Sequence, residues 1–153
     1  MRQRGRWDAR HAFLGMALLL ALALPAVAGE RSFPSATHEE VWNLLTAEVA
    51  RDRELTASGV NKARMNMIKE RIAPDLARKE RLLDDLSSAR DPSLVRLREV
   101  LTATLADEKR IVEGGGTHRY QRFAERALAG NLAKKAEALA ELEKEIAGGG
   151  SGY

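Results

Sequence analysis

The sequence predicts an all-α fold, an elongated up-down helical bundle of four amphipathic helices that follows an N-terminal signal peptide. Between residues 37 and 147, apolar side chains recur every three or four positions, which is the spacing of amphipathic helices. Capping residues and glycines divide this region into four segments with short connections, which favour up-down neighbours. No run of β-branched residues alternates with polar residues, and no Asn-Gly or Asp-Gly pair predicts a β-hairpin.

The first helix is predicted over residues 37–58. Thr37 and Glu40 have the T-x-x-E spacing of a capping box, in which each side chain hydrogen-bonds the backbone amide of the other residue. Gly59 predicts the end of the helix, because glycine adopts the left-handed conformation at low cost. A chain that continued through Gly59 as one long helix would give three helices, and the cap residues favour four.

The second helix is predicted over residues 61–89, with Asn61 as its N-cap residue. Pro74 lies inside this segment. We expect a kink or a short break there, because proline removes one backbone hydrogen bond and clashes with the preceding turn.

The third and fourth helices are predicted over residues 92–113 and 117–147. Asp91 is an N-cap residue, and Pro92 occupies the first helical position, where proline is well tolerated. Three consecutive glycines end the third helix, and a threonine caps the fourth. Residues 148–153 are predicted to be a flexible Gly-rich tail.

Residues 1–28 have the three parts of a secretory signal peptide: a basic start, a Leu/Ala-rich apolar run and a small-residue cleavage site. A proline ends the apolar run, and Ala26 and Ala28 then supply the A-x-A pattern of that site. We predict cleavage between Ala28 and Gly29. The predicted location is therefore periplasmic or secreted.

An N-terminal single-span membrane anchor is the alternative interpretation. The apolar run over residues 12–28 has 17 residues, at the short edge of the roughly 17–25 that span a bilayer. An anchor needs neither the proline nor the A-x-A pattern, so cleavage is preferred, and no membrane span is expected after it. Residues 29–36 are then predicted to be an extended leader.

The composition excludes several classes of function. The chain has no cysteine, so disulfides, thiolate metal sites and covalent haem are excluded. Residues 1–28 hold four of the 25 basic residues and one of the 22 acidic residues, so the processed chain is neutral. The basic isoelectric point of the full chain is therefore no argument for nucleic-acid binding, and no nucleic-acid partner is expected.

Candidates for metal binding and catalysis are few. His38 and His118 lie at the starts of the first and fourth helices, which an up-down bundle places at opposite ends, so they cannot share a site. Glu137, Glu141 and Glu145 form an acidic row at i, i+4 spacing, but neighbouring lysines favour a solvated face. We predict no metal site, no catalytic residues and no cofactor, and we expect that the protein is not an enzyme.

A basic and aromatic stretch is the one local feature that predicts a binding surface. Arg119, Arg122 and Arg126 follow i, i+3, i+7 spacing and share one helical face. Tyr120 and Phe123 flank them, and Phe123 is expected to turn toward the core. The alternative is a solvated face whose arginines pair with nearby acids.

These features predict an exported, non-enzymatic helical protein that acts by protein–protein contact in the bacterial envelope, as an adaptor, assembly factor or chaperone-like module. The predicted partner-binding residues are Arg119, Arg122, Phe123 and Arg126. The core is poor in aromatic residues and rich in alanine, so a protein partner or self-association is expected. The alternative function is a periplasmic bundle that binds a small ligand or a metal ion in its interior or at the acidic row.

Overall fold

The computed structural model describes residues 31–149. The predicted signal peptide, with its cleavage residues Ala26, Ala28 and Gly29, lies outside the described residues, as does the end of the Gly-rich tail. Over residues 31–149, no helix is both long and apolar enough to cross a membrane.

Four α-helices make up most of the described chain: α1 (Ala36–Ala57), α2 (Met65–Leu86), α3 (Pro92–Glu113) and α4 (His118–Gly148). Residues 31–149 contain no β-strand. The predicted all-α helical bundle is confirmed, with four helices rather than three. At 1.5 Å per residue, the helices are about 33 Å long for α1, α2 and α3 and about 46 Å long for α4.

The start of α1 differs from the predicted capping box. Ser35 is the N-cap residue, and its hydroxyl accepts a hydrogen bond from the amide of His38 at 3.3 Å. Ser35 has the extended backbone that an N-cap position requires, whereas Thr37 already lies in the first helical turn. The predicted capping box of Thr37 and Glu40 is therefore wrong.

The start and middle of α2 also differ from the prediction. The side chain of Asn61 caps a short 3-10 turn, Lys62–Arg64, and α2 begins only after this turn. The helix then continues through Pro74, so the predicted break is absent. Pro74 and Glu70, whose carbonyl loses its hydrogen-bond partner one turn earlier, both lie on the exposed side of the helix.

The helices pack most closely as two pairs, α1 with α4 and α2 with α3. The buried apolar side chains form two separate clusters. The first apolar cluster consists of Val41, Leu44, Leu45, Leu82, Leu86, Leu97, Leu101, Ala138 and Leu142. The second consists of Leu55, Met65, Ile68, Ile72, Ile111, Ala124, Ala127 and Leu128. Along its sequence, α1 contributes first to the first cluster and then to the second, whereas α4 contributes in the reverse order. These two helices are therefore antiparallel.

Candidate functional sites

Charged side chains separate the two apolar clusters. In each of the four helices, the residues between the two clusters include a buried charged side chain at a core-facing position. We call this set the ionic layer, and it consists of Glu48, Arg51, Asp52, Asp75, Lys79, Glu108 and Lys135. The side chains of all but Asp75 are at least 94% buried.

Arg51 connects three helices through its guanidinium group. Its Nε donates to Asp52 Oδ1 at 2.9 Å within α1, and its Nη1 donates to Asp75 Oδ2 of α2 at 2.5 Å. Its Nη2 donates to Glu108 Oε1 of α3 at 2.9 Å. The planar fork of arginine suits this arrangement, because it presents several donors in fixed directions.

Two lysines complete the layer. Lys79 Nζ donates to Glu108 Oε2 at 2.6 Å, and Lys135 Nζ donates to Asp52 Oδ2 at 2.8 Å and to Glu108 Oε1. Glu48 Oε2 lies 2.8 Å from Lys79 Nζ and 3.0 Å from Lys135 Nζ. These last two contacts are ion pairs without hydrogen-bond alignment, so Glu48 is held by charge alone.

The electrostatics of the layer favour the charged forms of Glu108 and Lys135. Burial opposes the charge on Glu108, but Lys79 and Lys135 outweigh it and lower the pKa of Glu108. Burial likewise opposes the charge on Lys135, yet Glu48, Glu108 and Asp52 raise its pKa above the usual value. These two groups are shifted away from neutral pH, so neither is poised as a general acid or base there.

The charges of the layer nearly balance. Arg51, Lys79 and Lys135 oppose the three fully buried carboxylates, and the partly exposed Asp75 lies at the edge. Such a layer has a cost in desolvation that pairing must offset, so its presence is not by itself evidence of added net stability.

Three arginines, Arg119, Arg122 and Arg126, lie on the first turns of α4, and we call them the arginine face. Arg119, Arg122 and Arg126 are exposed and, with Glu125, line a surface groove of about 270 Å³. Within residues 31–149, none of the three guanidinium groups lies within 4.0 Å of a carboxylate. Within the described chain, no ion pair therefore supports the alternative that these three arginines are neutralised by neighbouring acids.

Phe123 differs from the three arginines beside it. Its ring is half-buried and packs against the second apolar cluster. The guanidinium of Arg110 lies 4.1 Å from the ring centroid and covers it from α3. Phe123 therefore packs toward the core, with the guanidinium of Arg110 against its ring.

The acidic row of α4 is divided between two environments. Arg96 of α3 pairs with Glu141 at 2.9 Å and lies 3.7 Å from Glu137. Glu145 instead lies near His38 and Asp91, and one ligand atom from each of these three residues falls within 4.8 Å of the others. His38, Asp91 and Glu145 are thus the residues of the described chain that could hold a metal ion.

Comparison of the chain with protein-family models, with curated proteins and with solved structures found no match.

Proposed function

We propose that this protein is an exported, non-enzymatic helical protein that binds an acidic segment of a protein partner through the arginine face of α4. The observation that carries the proposal is the row of three exposed guanidinium groups without a carboxylate partner in residues 31–149. Two other exposed arginines of the described chain, Arg71 and Arg96, pair with acids, and what sets the face apart is that its three arginines lie side by side on one helix.

The surroundings of the face support a protein partner. The arginines share one side of a long helix that is anchored by Ala124, Ala127 and Leu128 in the second apolar cluster, so they keep fixed spacing. A shallow groove suits an extended or helical segment better than a small molecule, which needs a deep and largely apolar pocket. Guanidinium forks pair with carboxylates in two-point contacts, and this favours acidic side chains.

The bundle interior gives no support to a small ligand within it. The space between the two apolar clusters contains the ion pairs of the ionic layer, and the pKa shifts of Arg51, Glu108 and Lys135 favour their charged forms. An uncharged ligand in this layer would have to break several buried ion pairs, which is strongly unfavourable.

Charge reversal on the face tests the proposal. Arg119→Glu with Arg122→Glu is compared with Lys134→Glu and Lys144→Glu, a control that makes the same charge change at exposed positions of the same helix. Each protein is titrated with a labelled Glu/Asp-rich peptide at low and moderate salt, and each is cross-linked in envelope extracts. We expect the wild type and the control to bind the peptide and to recover the same protein, and the arginine variant to lose both.

Three results would contradict the proposal: equal peptide binding by all variants, a cross-linked partner that is unaffected by the arginine changes, or binding to anionic lipid vesicles alone. The same samples test export. Processing at the predicted site yields an intact mass that lacks residues 1–28, whereas a full-length mass in the membrane fraction would support the anchor.

A further inference from the structure

We propose that His38, Asp91 and Glu145 form a binding site for one divalent transition-metal ion of the zinc class. The three residues come from the first turn of α1, the N-cap of α3 and the last turn of α4. The fold brings these helix ends together, and one ligand atom from each residue lies within 4.8 Å of the other two.

His38 is the observation that points to a ligand. The residue is only 3% exposed, and its Nε2 is buried without a hydrogen-bond partner. Buried polar atoms of native proteins are nearly always paired, so a bare imidazole nitrogen needs an explanation. Two carboxylates beside it make a cation the natural partner.

Ser35 orients the imidazole ring for this role. Its hydroxyl oxygen lies 2.7 Å from Nδ1 of His38. When the Nδ1 proton is donated to Ser35, Nε2 carries the free lone pair that a metal requires. Metal-binding histidines commonly have this second contact, which fixes both tautomer and ring direction.

Each carboxylate has an oxygen available. Asp91 uses Oδ1 to cap α3, where it accepts from the amides of Ser93 at 2.9 Å and Leu94 at 3.3 Å, and this leaves Oδ2 for an ion. Glu145 forms no ion pair within residues 31–149. Two carboxylates and a neutral imidazole carry a charge of minus two, which a divalent ion neutralises.

The donor set selects the kind of metal. Zinc accepts one imidazole nitrogen and two carboxylate oxygens, at about 2.0–2.2 Å each, and leaves a fourth tetrahedral position open. Magnesium and calcium prefer sets made of oxygen alone, so the histidine favours zinc and its neighbours in the transition series. The ligand atoms must draw together by a small movement of Glu145, which lies in the exposed last turn of α4.

A bound ion would join the first turn of α1 and the last turn of α4 to the connection between α2 and α3. An ion that binds only the folded state raises stability with concentration, so thermal melting reports its affinity. The site also adjoins a groove of about 390 Å³ that Glu145 lines together with Pro92, Leu97 and Leu142. Glu145 therefore lies both in the candidate site and along this groove.

The test uses the full purified chain after chelator treatment, titrated with zinc chloride by calorimetry and followed by thermal melting. We expect one equivalent of zinc per chain and a higher melting temperature. His38→Gln and Glu145→Gln should weaken binding by at least about tenfold, since even residues that only orient a ligand contribute about 10–100-fold. His118→Gln and Glu143→Gln are matched controls at exposed positions and should bind as the wild type does.

Glu145→Gln keeps the test decisive if the buried His38 variant folds poorly, because position 145 is exposed. The proposal fails if zinc causes no stabilisation, if magnesium stabilises the protein equally, or if neither variant weakens binding. It is independent of the proposed partner face, since charge reversal of the arginines should leave zinc affinity unchanged.

Discussion

Replacing Lys135 by methionine should destabilise the bundle strongly, because it leaves buried carboxylates without their shared partner. Lys135 is fully buried, and its Nζ contacts Glu48, Asp52 and Glu108. Methionine fills a similar volume, so the main change is the loss of one positive charge from a layer whose buried charges balance.

The magnitude follows from the ion pairs that are broken. Removing one partner of a buried ion pair costs about 3–5 kcal/mol, much of which is the penalty of the charge left behind. For a helical domain of this size, that loss lowers the melting temperature by roughly 10–25 °C. Lys134→Met is the matched control, since Lys134 is exposed on the same helix and should change stability by less than about 0.5 kcal/mol.

Denaturant unfolding followed by circular dichroism measures both variants at neutral pH. A third protein, Lys135→Met combined with Glu48→Gln, removes one charge of each sign and leaves Asp52 and Glu108 paired with Arg51. Its loss of stability should be smaller than the summed losses of Lys135→Met and Glu48→Gln by about 0.5–3 kcal/mol, because residues in one network couple. If Lys135→Met were as stable as Lys134→Met, the claim that Lys135 is a required partner of the buried carboxylates would be wrong.

Two further predictions concern pH and the α3–α4 connection. Because the folded pKa of Glu108 lies below 4.5 and that of Lys135 lies above 10.5, their contributions are complete between these values. The free energy of unfolding should therefore fall as the pH drops below 4.5 and again as it rises above 10.5; a stability that increased below pH 4 would contradict the assignment. Gly114→Ala should cost about 1–3 kcal/mol, because a Cβ there would overlap the ring of Tyr120, whereas a Cβ at Gly115 meets nothing within 4 Å. Chemical denaturation of both alanine variants checks this, and equal stabilities would refute it.

The four-helix architecture could be predicted because its signals are local. Asp91 followed by Pro92 marks a helix start by its own chemistry, and Gly59 has the left-handed backbone that ends α1, with φ of +75°. The cap of α1 was misplaced because Ser35 and Thr37 are both able to cap, and only the backbone geometry separates them.

The ionic layer was missed for a physical reason. A charged residue on an amphipathic helix usually faces water, so a charged residue in the sequence is assigned to the exposed face even where it is buried. The signal was present in the spacing: in α2, Ile72, Asp75, Lys79 and Leu82 follow one another at intervals of three, four and three. The apolar stripe therefore continues through the two charged residues.

The two candidate sites also differ in how far the sequence predicts them. The arginine face lies within eight residues of one helix, so its spacing predicted it. The cluster of His38, Asp91 and Glu145 draws on three helix ends that are far apart in sequence, so no spacing within one helix indicates it. Only the packed bundle shows that an acid from the C-terminal row meets a histidine from the first turn.

The position of the charges between the two apolar clusters in every helix also limits how the bundle can be misassembled. A slide of one helix by a single turn, about 5.4 Å, would place leucines against carboxylates and leave lysines among aliphatic side chains. An apolar core tolerates such slippage, because one leucine resembles the next, whereas a polar residue at a core position specifies alignment. Each helix thus carries a charged position that favours one longitudinal alignment, in a bundle with alanine-rich faces and few large aromatic side chains.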